Sequence, residues 1–187
     1  SRMATFALLL LPVLHPLVKS ATLKLGLAAA MGLLGLAAFY SPIFQERFFV
    51  GGSGTLTDVW QGDFLSFGRF ETWPDVWEEA WKRPWLGGGT GSAAAFVPTV
   101  WDGVSHVHND CLRAFFDWGG VGLALFIAAV GLQILRLRRI ARTSAGVVQQ
   151  GAAAALLFFY LFLTMCVTDN PLIYNLWFTN PMFAVLG

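Results

Sequence analysis

Between Ser105 and Asp110 the chain sets two histidines, His106 and His108, and an aspartate, Asp110, at alternate positions. Alternate residues share one face of a strand, where three such groups could ligate a metal. The same run leads directly into a long apolar segment, so His108 could instead cap a helix or act there as a base. Histidine, with an unperturbed pKa of about 6.5, takes a hydroxyl proton near neutral pH. A second candidate is the run Gly87, Gly88, Gly89, Thr90, Gly91, Ser92. Backbone amides in glycine-rich turns can cradle phosphate. This run lacks the lysine of a P-loop and follows no strand, which leaves a tight turn as the plainer reading. Cys111 and Cys166 make no disulfide framework and are expected to be free thiols.

The elements that must position these groups are membrane helices. Of 187 residues, 56% are hydrophobic and 12% charged, about half the charged share usual in soluble domains. The apolar residues cluster into runs near the roughly 20 residues that cross a hydrocarbon layer. They cover 3–19, 23–40, 118–135 and 151–167, and Lys24 can snorkel to the surface. A stretch at 172–187, interrupted by Asn180 and Pro181, reads as a re-entrant or partial helix. The first run contains Pro12, His15 and Pro16, lacks a cleavage site and is followed by further spans, unlike a signal peptide. The expected fold is therefore all-α: one multi-pass transmembrane helical bundle, read as a piece of a longer protein.

Orientation follows from the basic residues, which favour cytoplasmic connections. Lys19 and Lys24 join the first two spans, and Arg136, Arg138, Arg139 and Arg142 join the next two. That places 41–116 outside as one large loop, together with all 11 acidic residues. Buried charges, expected at mid-depth in a transporter, are missing from the spans.

A loop of that length is expected to carry function. Residues 48–67 have no helical period and read as irregular. Over 72–83 the spacing of Trp73, Trp77 and Trp81 predicts an amphipathic helix, capped by Thr72, tolerating Pro74 early and stopped by Pro84. A tryptophan stripe opposite charges suits either the headgroup layer or packing on the bundle, and both lay the helix flat near the membrane.

The order Gly68-Arg69, then Trp73, Pro84 followed by Leu86-Gly87-Gly88-Gly89, His108-Asn109, and Gly119-Gly120-Val121-Gly122-Leu123 resembles the O-antigen ligase/polymerase superfamily. Ser1-Arg2 is similar to the end of that family's upstream Ser-Arg motif, with Met3 where glycine is usual. As topology the likeness spans nearly the whole chain; in specific residues it rests on 68–123.

The resemblance implies a glycosyltransferase at the periplasmic face of the bacterial inner membrane, using neither metal, ATP nor other cofactor. Its donor would be a glycan on undecaprenyl diphosphate. Its acceptor would be the lipid A core for a ligase, or another repeat unit for a polymerase. Lipid is a partner and nucleic acid is not. Matched motif to motif, Arg69 and Arg2 would hold the diphosphate and His108 would act on the acceptor hydroxyl, with Asn109, Gly87 and Gly89 nearby in the substrate site. Asp169, at the outer end of the fourth span, could line the acceptor site. Arginine suits a leaving diphosphate because it offers permanent charge in a bidentate fork. Read alone, Arg69 could equally pair with Glu71 or headgroups, Arg2 could be incidental, and a metal-dependent membrane hydrolase remains the rival chemistry.

Overall fold

A computed structural model describes residues 9–65, 69–167 and 169–173, without the side chains of residues 69 and 70. All regular structure among them is helical. Residues 9–14 form a helix that ends at His15, followed by a turn through Pro16 and Leu17. Then come α1 (Ala21–Phe39), α2 (Pro42–Phe48), α3 (Leu56–Gln61), α4 (Arg69–Ala80), α5 (Ser92–Val100), α6 (Asp110–Thr143) and α7 (Gly146–Cys166).

Three of these, α1, α6 and α7, are long and apolar enough to cross a membrane. Each has a local reason for its bounds. Ser20 caps α1, its hydroxyl accepting from the Leu23 N–H. Helix α6 starts at an Asn109 cap and runs on through Arg136–Arg142, well beyond the apolar stretch 118–135, because basic residues suit a helix C-terminus. The apolar pattern marks only the part that hydrocarbon would cover. Of the segment 172–187, residues 174–187 lie outside the described part, and 171–173 form a turn.

The large loop is more helical than its sequence suggested. Where 48–67 read as irregular, Thr55 and Asp58 form a reciprocal capping box that starts α3, and Gly62 ends it in a left-handed conformation. Helix α4 extends back to Arg69, so Thr72 is not its cap: it lies inside the helix and is fully buried.

Two cores result. One joins α6 to α7 through Leu137, Ala141, Ala152, Ala155, Leu156, Phe159 and Phe162, with small alanines letting the backbones approach. The other seats the loop on the first two turns of α6. Val76 and Ala80 of α4 and Ala93 and Val97 of α5 pack with Val107, Leu112, Phe115 and Phe116. The buried seam of α4 is therefore Thr72, Val76 and Ala80, while Trp77 and Trp81 flank it half-exposed against Phe115.

Candidate active site at the start of the long helix

Asn109 is extended and its Oδ1 accepts from the Leu112 N–H at 2.9 Å, fixing the first turn of α6. His108 before it has φ +53°, and among the described residues it alone enters that region without being glycine. Left-handed backbone costs a side-chain-bearing residue about 1 kcal/mol or more. Contacts on both sides hold it there. Val107 is buried in the loop core, and its carbonyl accepts from Trp73 Nε1 at 2.7 Å.

The chain returns to this place after α7. Asn170 Nδ2 lies 3.3 Å from His108 Nδ1, and Asp169 Oδ1 lies 3.7 Å from the same nitrogen. The Leu172 N–H donates to Asp110 Oδ2 at 2.8 Å, and Arg113 Nη1 faces Asp110 Oδ1 at 3.3 Å. Asp110, Asp169 and Asn170 are buried, whereas the His108 side chain keeps 29% of its surface. His108 is thus the reachable member of a buried polar cluster. Asp110 Oδ1 and Asn170 Oδ1 have no hydrogen-bond partner among the described residues. Buried acceptors left open are uncommon in scaffolding and call for a role.

His106 stands beside His108 with ring centroids 6.4 Å apart. Burial first, then the neighbouring His108 and Arg113, push its pKa below the ordinary histidine value, so it stays neutral where a free histidine would begin to protonate. The strand that would align His106, His108 and Asp110 for a metal is not formed: His108 is left-handed and Asp110 is helical. Among the described residues no three His, Cys, Asp or Glu side chains are grouped as ligands.

An apolar hollow of about 520 Å³ opens between α4 and α6, walled by Trp73, Pro74, Trp77, Phe115 and Leu123 and reaching Asn109, the residue after His108.

The glycine run lies at the other end of this helical segment. Gly119 breaks α6 at φ +66°, ψ −173°, and the turn docks against the break. The Gly120 and Val121 N–H groups donate to the Pro84 and Trp85 carbonyls, at 2.7 and 3.2 Å. A Cβ on Gly119 would come within 2.3 Å of the Trp85 backbone, and one on Gly87 within 2.5 Å of the Asp117 carbonyl. The amides of Gly87, Gly88 and Gly89 donate to the carbonyls of Arg83, Phe116 and Asp117. Those donors, which a phosphate would need, are occupied.

Of the residues singled out in sequence, His108, Asn109 and Asp169 come together here, and Gly87 and Gly89 do not join them. Arg69 opens α4, one turn before Trp73, while its side chain and the whole of Arg2 lie outside the described residues. Sequence reasoning offered Asp110 as a metal ligand and Asn170 only with Asp169 as lining of the acceptor site, and it passed over Arg113. The one available signal was a buried-type polar pair, Asp169-Asn170, closing an apolar span.

A strained histidine backed by a buried carboxylate thus lies beneath a folded loop, at the start of a helix long and apolar enough to cross a membrane. Residues 1–127 of the 187 match the O-antigen ligase family, and the chain belongs to that family. No curated protein and no solved structure matches it. Membership makes this an O-antigen ligase-like membrane enzyme whose substrates are, in general terms, lipid-linked glycans.

Proposed function

We propose that this protein transfers a glycan from undecaprenyl diphosphate to an acceptor sugar at the periplasmic face of the inner membrane, with His108 as general base. The carrying observation is that Asn170 and Asp169 converge on His108 Nδ1 from a segment 62 positions away. The oxygen and nitrogen of an asparagine amide are interchangeable by a half-turn. Turning Asn170 brings its orphaned Oδ1 to the ring nitrogen, where Nδ1–H donates to it with the Asp169 carboxylate behind. Nε2 is then the unprotonated nitrogen, which a base requires.

The acceptor hydroxyl attacks the anomeric carbon of the donor sugar. The carbon–oxygen bond to the diphosphate breaks, its electron pair leaves with undecaprenyl diphosphate, and the hydroxyl proton passes to Nε2. Arg69 is the residue assigned to the developing phosphate charge. Its support is placement: it lies four residues before Trp73, on the same face of α4, and Trp73 is bonded next to His108. The apolar hollow between α4 and α6 suits the isoprenyl chain of the donor. Gly87 and Gly89 are left out of this donor site. The periplasmic assignment rests on the basic connections and one-sided acids.

The test is transfer by the intact, reconstituted protein, with purified lipid-linked glycan and either lipid A core or a second lipid-linked unit as acceptor. Glycosylated core identifies a ligase, and elongated carrier-linked glycan a polymerase. Failure of folded protein to make either product rejects the reading. Inhibition by EDTA that zinc reverses would favour a metal-dependent reaction.

A further inference from the structure

We propose that a second hollow, on the opposite flank of α4 from the apolar one, is a glycan subsite that holds a non-reacting sugar of the transferred chain. This rests on the glycan-transfer reading above. The hollow measures about 290 Å³ and lies between the end of α4, the glycine turn and α5. Its size is at the small end of ligand pockets, which run from roughly 300 Å³ upward.

Its chemistry selects the occupant. Phe96 and Phe116 form an aromatic wall, their centroids 5.4 Å apart and their planes at 31°. On the rim, the Arg83 guanidinium has no hydrogen bond or ion pair among the described residues. Glu79 gives only Oε2 to Lys82, at 2.6 Å. Ser92 donates its proton to Asp117 Oδ1 at 3.0 Å, so its lone pairs are left to accept. Gly88 keeps these groups close: a Cβ there would stand 2.6 Å from Ser92 Oγ and 3.3 Å from Arg83 Nη1.

A free phosphate or carboxylate would meet Glu79, with buried Asp117 behind Ser92. An isoprenyl chain would strip water from a guanidinium and a carboxylate without offering either a partner. A pyranose avoids both penalties, since its C–H face covers aromatic carbon and each rim hydroxyl both donates and accepts. The hollow is also too far from His108 for the reacting ring. Along α4 from Trp73, whose indole donates to the Val107 carbonyl, to Ala80 at the hollow is seven residues, about 10 Å at 1.5 Å each.

The probe is the lipid-free oligosaccharide that mild acid releases from the lipid-linked donor, titrated into the intact protein in nanodiscs and read by calorimetry and saturation-transfer NMR. Wild type should bind it, and Arg83→Ala and Glu79→Gln should each weaken binding about tenfold. Ala95→Trp, which fills the hollow from its exposed rim, should abolish it. With full-length donor the same variants should raise KM about tenfold while kcat stays within a factor of about two, the pattern of lost uniform binding. No binding by wild type, or equal binding by all three variants, overturns the subsite whatever the transfer assay gives. Binding without any transfer supports the subsite and overturns the transferase reading instead.

Discussion

Asp110 and Asp117 are both buried, two turns apart on one face of the same helix, yet they serve opposite ends. Asp117 accepts from the Gly91 N–H, the Ser92 hydroxyl and the Ala93 N–H, at 2.8 to 3.0 Å, and so ties the end of the glycine run and the start of α5 to α6. Asp110 accepts one backbone N–H and leaves its other oxygen without a hydrogen bond, facing Arg113. A carboxylate with its bonding filled is a fastener. Asp110 ties the returning segment to the start of α6 and still has acceptor capacity to offer beside the strained histidine.

The largest effect should come from undoing the fastener. Asp117→Ala strands the buried Ala93 N–H, at about 1–3 kcal/mol, and frees the part-buried Gly91 N–H and Ser92 hydroxyl, against a total stability of roughly 5–15 kcal/mol. Folded yield and melting temperature should fall; normal melting would break the contrast. His108→Ala should reverse the pattern, with unchanged melting and turnover down about 100-fold or more while donor still binds. An active His108→Ala enzyme would leave His108 as a mere cap. Arg69→Lys keeps the charge and loses the fork, so donor KM should rise about tenfold, the equivalent of 1.4 kcal/mol. An unaltered KM would detach Arg69 from the donor.

Smallest is a pH effect at His106. Its folded pKa lies below the ordinary value, so the unfolded chain binds a proton more readily. Stability should therefore be full above about pH 6.5 and decline as pH falls from there through the lowered value. His106→Gln should flatten that acid-side decline in melting temperature, and an identical decline in the variant would remove His106 from the balance.

The parts legible in sequence were those set by local pattern. Apolar runs announced α1, α6 and α7, while the cap of α6, read as possible at His108, is made by Asn109. What failed were judgements that needed a partner. The Thr55–Asp58 capping box is a local signal that scattered glycines masked. Thr72 looks like a cap, but the helix begins three residues earlier, at Arg69, and encloses it. The glycine run has no visible purpose until Gly119, some 30 residues on, meets it backbone to backbone. Asn170 at His108 is a contact across 62 positions, which no spacing rule reaches.

The break at Gly119 has a mechanical side. Because Gly120 and Val121 give their N–H groups to Pro84 and Trp85, the turn is fixed in height to the top of the spanning part of α6, and Trp85 and Leu86 project from it with about three-quarters of their surface bare. Bilayers thicker or thinner than a helix's apolar length make it tilt or stretch the lipid around it. Gly119 joins that spanning part to the helical segment that begins next to His108. Reconstitution into lipids of different acyl-chain length is therefore a direct way to ask whether a displacement at Gly119 reaches the site proposed around His108.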